Sequence, residues 1–391
     1  MAILKRLKLK TYAYKKFIEN YVDSPIREGN HVTILTNGDE IFPSMLESIE
    51  QAKHSISFLT YVYWRGDIAT QFATALADKA RSGVKVNVLM DAFGSSKIDT
   101  QLIESMRAAG VEFRWFRPLK WYALRKINNR THRKILVIDN RTGFLGGVGI
   151  AQEWTGHAQD IHHWRDTHFK VSGPAIIDLI DSFNDNWCEA GGAAVENNHT
   201  PTKATRGGAM TVQLTSSKAT HGQTYADKLF ISLIRSAQVN INITTAYFAP
   251  SVHFCNALIA ARAMGVKVVI LTNGSYTNHA IVRKAGHRYY KQLLAAGIEI
   301  YEYQQTLLHS KIATIDGAWA CVGSINFDDR SFVLNDEINM SLTDSKLIAK
   351  LDAQLSDDLA HSERIVLHKW IKRPFLARLS ELASGLLRRQ L

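Results

Sequence analysis

HRKILVID (132–139) and HSKIATID (309–316) decide how this 391-residue chain is read. Each opens with a histidine and, two positions on, a lysine, then runs through four apolar or small residues to an aspartate. Side chains at i and i+2 of a strand project to one face. His132 and Lys134 are therefore expected to point together, as are His309 and Lys311. ILVI (135–138) and IATI (312–315) anchor each strand in a core, and Asp139 and Asp316 stand where the strands end. GGVG (146–149) and GSIN (323–326) follow. Small residues such as Gly147 let backbone approach a ligand closely, and Ser324 and Asn326 add hydrogen-bond donors for an anion.

The surroundings repeat as well. KARSGVKVNVLMD (79–91) matches ARAMGVKVVILTN (261–273), and RAAGVEFRWF (107–116) matches LAAGIEIYEY (294–303). In each, a helix stops at glycine before a β-branched strand. SISFLTYVYW (55–64) and VNINITTAYF (239–248) occupy a common earlier place as apolar strands. Strands alternating with helices predict two similar α/β domains with mainly parallel sheets, over 28–188 and 210–365. A Gly-, Asn- and Thr-rich linker (189–209) joins them, flanked by a basic N-terminal segment (1–27) and a basic C-terminal one (366–391).

Composition sets the bounds. Hydrophobic residues at 46% and charged residues at 21% are globular proportions. No apolar run approaches the roughly 20 residues of a membrane-spanning helix, and the N-terminus lacks the apolar core of a secretory signal. Cys188, Cys255 and Cys321 are too scattered for a disulfide framework or zinc knuckle. A net charge of +11 favours polyanionic partners, either nucleic acid or acidic lipid.

One H-x-K-x4-D match means little, but two at equivalent places of an internal repeat point to chemistry. Phosphodiester exchange suits two histidines and two lysines. The lysines hold non-bridging oxygens and offset growing charge. One histidine attacks phosphorus, and the other moves the proton of the leaving and entering alcohols. With lysines doing the cationic work, neither a metal nor another cofactor is expected.

With these motifs the chain resembles the phospholipase D superfamily over about residues 28 to 345. EGNHVTILTNGDEIFPSMLESIEQAKHSI (28–56), FLGGVGIAQEW (144–154), WRDTHFKVSGPA (164–175) and ACVGSINFDDRSFVLNDEINM (320–340) make it most similar to bacterial cardiolipin synthases of the shorter B type. The resemblance implies an active site at the interface between the halves. It also implies an acid behind each histidine from the opposite half: Asp166 behind His309 and Glu337 behind His132. By the same analogy His132 is the nucleophile and His309 the acid/base, with the reverse assignment open, and Asp139 and Asp316 brace their motifs. The implied substrate is an anionic phospholipid, phosphatidylglycerol, whose phosphatidyl group passes to the glycerol hydroxyl of a second molecule. One departure stands out: Gly147 and Gly149 occupy the places that Ser324 and Asn326 hold in the second motif.

Val111 to His132 spans 21 positions, whereas Ile298 to His309 spans 11. The extra residues lie in RPLKWYALRKINNRT (117–131), which has five Lys/Arg, no acid, and Trp121 and Tyr122 as candidate substrate contacts. Aromatic and basic character suits a lipid interface, and equally a nucleic acid. PFLARLSELASGLLRRQL (374–391) carries an apolar stripe at helical spacing among arginines, so a basic amphipathic helix over 374–390 is expected to lie on a membrane or to pack on the protein. The expected setting is peripheral, on the cytoplasmic face of the cell membrane, with nucleic acid the less favoured partner. Hydrolysis to phosphatidic acid, metal-independent nuclease activity and a non-catalytic scaffold are the alternatives.

Overall fold

The computed structural model describes residue 19 and residues 21–118, 128–196, 208–218 and 225–374. Its first half contributes β1 (Ile26–Thr36), β2 (Ser55–Thr60), β3 (Lys85–Asp91), β4 (Glu112–Phe116), β5 (Ile135–Ile138), β6 (Thr142–Gly146) and β7 (Thr167–Ser172). The second contributes β8 (Met210–Ser217), β9 (Asn240–Thr244), β10 (Phe248–Ala249), β11 (Lys267–Asn273), β12 (Glu299–Tyr303), β13 (Ile312–Ile315), β14 (Trp319–Gly323), β15 (Phe327–Asp328), β16 (Glu337–Leu342) and β17 (Ser362–Ile365). β10 and β15 pair with each other, and the rest form one 15-stranded sheet. Its order, β17-β12-β11-β9-β13-β14-β16-β8-β1-β7-β6-β5-β2-β3-β4, runs outward the same way in both halves from the antiparallel β8–β1 seam.

The repeated α/β class therefore stands, but the sheet is mixed rather than mainly parallel. Among the described strands, parallel pairing is confined to β2-β3-β4 and β9-β11-β12, plus the β10–β15 pair. In the two parallel triplets, helices Asp67–Arg81, Thr100–Ala108, Val252–Ala263 and Ala280–Ala295 provide the long crossovers that parallel neighbours need. The motif strands β5 and β13 have only short turns to β6 and β14, and short connections force antiparallel hairpins.

Those turns are where the motif aspartates act. Asp139 has φ 50° and Asp316 φ 54°, a left-handed conformation that aspartate tolerates better than bulkier residues. Asp139 accepts from the backbone N–H groups of Lys53, His54 and Ser55 at 2.7–2.9 Å. Asp316 accepts from Gln238, Val239 and Asn240 at 2.8–2.9 Å. Each carboxylate thus ties the end of a motif strand to the start of its neighbour, β2 or β9. Partial burial opposes the charge of Asp139, but the three donors outweigh it and hold its carboxyl below the usual range.

Buried arginines bind the halves. Arg133, fully buried, donates to the carbonyls of Ser182, Ser217 and Glu337. Arg165 forms a two-pronged pair with Asp358 at 2.9 and 3.1 Å. Buried guanidinium groups cost several kcal/mol unless well partnered, and these hydrogen bonds offset that cost. Asp139→Ala or Asp316→Ala strips three donors of their acceptor and is expected to cost about 1–3 kcal/mol, read as a lower urea midpoint.

Candidate active site

Each motif histidine is fixed first through its backbone. Thr131 and Asp336 form a parallel bridge, as do Leu308 and Arg165. His132 N–H donates to the Asp336 carbonyl at 2.8 Å, and His309 N–H to that of Arg165 at 2.7 Å. Asp336 and Arg165 are the residues immediately before Glu337 and Asp166. A short contact between the halves therefore delivers each acid to the opposite imidazole.

The side chains complete the arrangement. His132 Nδ1 lies 3.0 Å from both carboxylate oxygens of Glu337. His309 Nδ1 lies 2.8 Å from Asp166 Oδ2. With Nδ1–H given to a carboxylate, Nε2 of each ring is left with its lone pair for chemistry. Lys134 Nζ donates to the His132 carbonyl at 2.8 Å, and Lys311 Nζ to that of His309. His132 and His309 are 8% and 5% exposed, so the groups are almost dry yet reachable.

Burial controls the protonation states. It drives the His132 imidazole down to about 4, with Glu337 opposing and Lys134 reinforcing the shift. It drives His309 to about 3 together with Lys311, against the pull of Asp166. Burial also lowers Lys311 to about 8 and Lys134 well below its ordinary value. Burial alone would raise Asp166 and Glu337, but the facing imidazoles and lysines hold both carboxyls below normal. Lys311 acts on His132 and Lys134 on His309, so the two motifs share one small volume.

The glycine and serine positions need correction. Ser324 has no exposed surface, and its hydroxyl donates to Glu337 Oε2 at 2.5 Å. It faces the acid, so its proton is not free for a substrate anion. Gly147 likewise stands behind the site: a Cβ there would lie 2.6 and 2.7 Å from the Asp166 carboxylate oxygens and 2.9 Å from the His309 carbonyl. A glycine is needed to make room for Asp166. Asn326 is buried with its Oδ1 unpartnered, and Asp139 and Asp316 stand at the far ends of their strands. Trp121, Tyr122 and the 374–390 helix lie outside the described residues, apart from Pro374.

Several neighbours escaped the sequence reading. Trp154 donates its indole N–H to Asp166 Oδ2 at 2.9 Å and meets His309 edge to face at 5.1 Å. Trp164 lies 5.9 Å from the same imidazole, and Tyr61 meets His132 edge to face at 5.2 Å. Asp91 accepts from Thr131 N–H, while Asn273, its repeat counterpart, accepts from Leu308 N–H. A one-dimensional pattern gives no ring orientation, so these walls were not legible in the sequence. Gly147→Ala is expected to displace Asp166 and lower turnover at least about 10-fold, with the far-ultraviolet circular dichroism spectrum unchanged. Ser324→Ala, which only removes a donor, should cost less.

Comparison with known proteins places this geometry. The family model described as "Cardiolipin synthase, PLD-like domain" matches residues 45–180 and 230–359. A cardiolipin synthase of Geobacillus kaustophilus is 35% identical over 366 residues, covering 93% of this chain and 73% of that protein. One from Alkalihalophilus pseudofirmus is 36% identical with the same coverage. A phosphatidylserine synthase from Haemophilus influenzae shares the fold at TM-score 0.76, with 13% identity, 96% of this chain and all of that chain covered. The match of both repeats, together with identity sustained along nearly the whole chain, makes this protein a member of the cardiolipin synthase, phospholipase D-like domain family.

Proposed function

We propose that this protein is a phosphatidyltransferase that makes cardiolipin from two molecules of phosphatidylglycerol. The observation that carries the reading is the pair of buried imidazoles, one from each half, each backed by a carboxylate and accompanied by a lysine. The family membership and the named activity of its relatives support the same reading. Lys134 and Lys311 hold the phosphoryl oxygens. His132 Nε2 attacks phosphorus, the bond from phosphorus to the headgroup glycerol oxygen breaks, and His309 gives that oxygen its proton. Free glycerol leaves a phosphatidyl-His132 intermediate. The glycerol hydroxyl of a second phosphatidylglycerol then passes its proton to His309 and attacks phosphorus, breaking the phosphorus–nitrogen bond. One phosphodiester replaces another, so no nucleotide is consumed. Asp166 and Glu337 hold the tautomers that both steps need.

Burial supplies a neutral nucleophile but leaves His309 without the proton it must donate. The substrate supplies the remedy. A phosphodiester anion entering between the rings favours the charged imidazolium, raising its pKa in the complex. Binding should then take up a proton that the departing alkoxide receives. Hydrolysis by the same intermediate is the runner-up, and water exclusion decides between the two outcomes.

The substrate places the work at a membrane surface, and the +11 charge favours an anionic one. We assign the contact to the basic aromatic segment 117–131 and the basic segment 374–390 with its apolar stripe, on the cytoplasmic face, with the protein peripheral. No helix among the described residues is long and apolar enough to cross a bilayer.

Purified protein incubated with phosphatidylglycerol vesicles is expected to yield cardiolipin and glycerol in equal amounts by mass spectrometry; phosphatidic acid alone would defeat the synthase reading. His132→Ala and His309→Ala should each lower the rate by about 1,000-fold or more. Calorimetry of dimethyl phosphate binding at pH 7, in two buffers of different ionisation enthalpy, should show net proton uptake; this phosphodiester has no proton of its own to give near pH 7. The sign follows from imidazoles at about 4 and 3 in the free protein: both are neutral at pH 7 before binding, so any charging takes a proton from buffer.

A further inference from the structure

The two supporting acids are held by different donors. Glu337 receives the Ser324 hydroxyl on the carboxylate that binds His132. The position corresponding to Ser324 in the first half is Gly147, where a side chain would collide with the Asp166 carboxylate. Asp166 therefore cannot be served from that position. Its Oδ1 accepts from Thr167 N–H at 2.7 Å, and its Oδ2 takes both His309 Nδ1 and the Trp154 indole N–H, at 2.8 and 2.9 Å. Trp154 is 2% exposed and packs edge to face against His309 at 5.1 Å and against Trp164 at 4.4 Å. Among the described residues no comparable pair of indoles borders His132, whose ring contact there is Tyr61.

We infer that Trp154 is a positioning residue for His309: its indole N–H replaces the hydroxyl that Ser324 supplies in the other half, holding Asp166 and limiting how strongly that carboxylate draws the His309 Nδ1 proton. The physical reason lies in competition for one oxygen. A carboxylate oxygen that already accepts a good donor is a weaker base toward a second one. Removing the indole N–H makes Asp166 Oδ2 more basic and so stabilises the His309 imidazolium. The ring also limits rotation, since its edge abuts the imidazole. Each supporting acid thus carries one added donor, while the two histidines differ in the rings beside them, Tyr61 at His132 and Trp154 at His309.

This inference rests on the two-histidine transfer proposed above, and its test separates the two. Trp154→Phe keeps one aromatic ring and removes the donor. Benzothienylalanine at 154 keeps both rings and replaces only N–H by sulfur, so it decides the matter if the Phe variant folds poorly. In each, kcat on phosphatidylglycerol vesicles should fall about 10-fold with KM within about twofold, and the pH-profile limb set by His309 should move to higher pH. A pH profile identical to wild type in both variants would overturn the role, whatever happens to kcat, because a purely packing residue could lower the rate without moving that limb. Failure of the transfer reading looks different: wild-type protein would make no cardiolipin, or His309→Ala would remain active.

Discussion

Everything at the site depends on two short backbone bridges between the halves. Thr131 pairs with Asp336 and Leu308 with Arg165, so each motif histidine is locked to the residue that precedes the opposite acid. Neither half alone can put a carboxylate behind its own histidine, because Asp166 serves the second motif and Glu337 the first. The site is consequently a property of the seam. A single sheet runs continuously through β8 and β1 across that seam, and Arg133 and Arg165 fill it with buried, hydrogen-bonded charge.

The same burial sets the electrostatics. Two lysines enclosed at single-digit exposure would repel one another, were it not for the two carboxylates that face them. The result is a pocket whose imidazoles are neutral and whose ammonium groups are easier to deprotonate than usual. Lysines and carboxylates offset one another there, so a bound phosphodiester adds a negative charge that protonation of an imidazole neutralises, which is why binding and proton transfer are coupled in the proposed reaction.

The internal repeat is close in backbone and loose in side chains. Asp139 and Asp316 do the same work with the same three kinds of donor. Asp91 and Asn273 do equivalent work with different charge. Gly147 and Ser324 do opposite work, one clearing space for an acid and the other binding one. A duplicated scaffold keeps its backbone geometry while its two histidines acquire different neighbours.

The sequence by itself determined the repeat, the α/β class, the two motif strands and the histidines and lysines that meet at the seam. These were legible because strand periodicity is local and because a pattern present twice is hard to produce by accident. Glu337 and Asp166 could be named only through resemblance, since neither spacing nor composition ties them to a histidine far away in the chain. Strand direction misled: β5–β6 and β13–β14 are hairpins, and apolar runs of four look alike in parallel and antiparallel pairs. Ser324 looked like an anion donor because sequence gives a hydroxyl no direction. The tertiary structure alone decided which way that hydroxyl points, why Gly147 must be glycine and that Trp154 reaches Asp166. Each of those facts is a distance between side chains, and distances across a seam are set by the packing of both halves together.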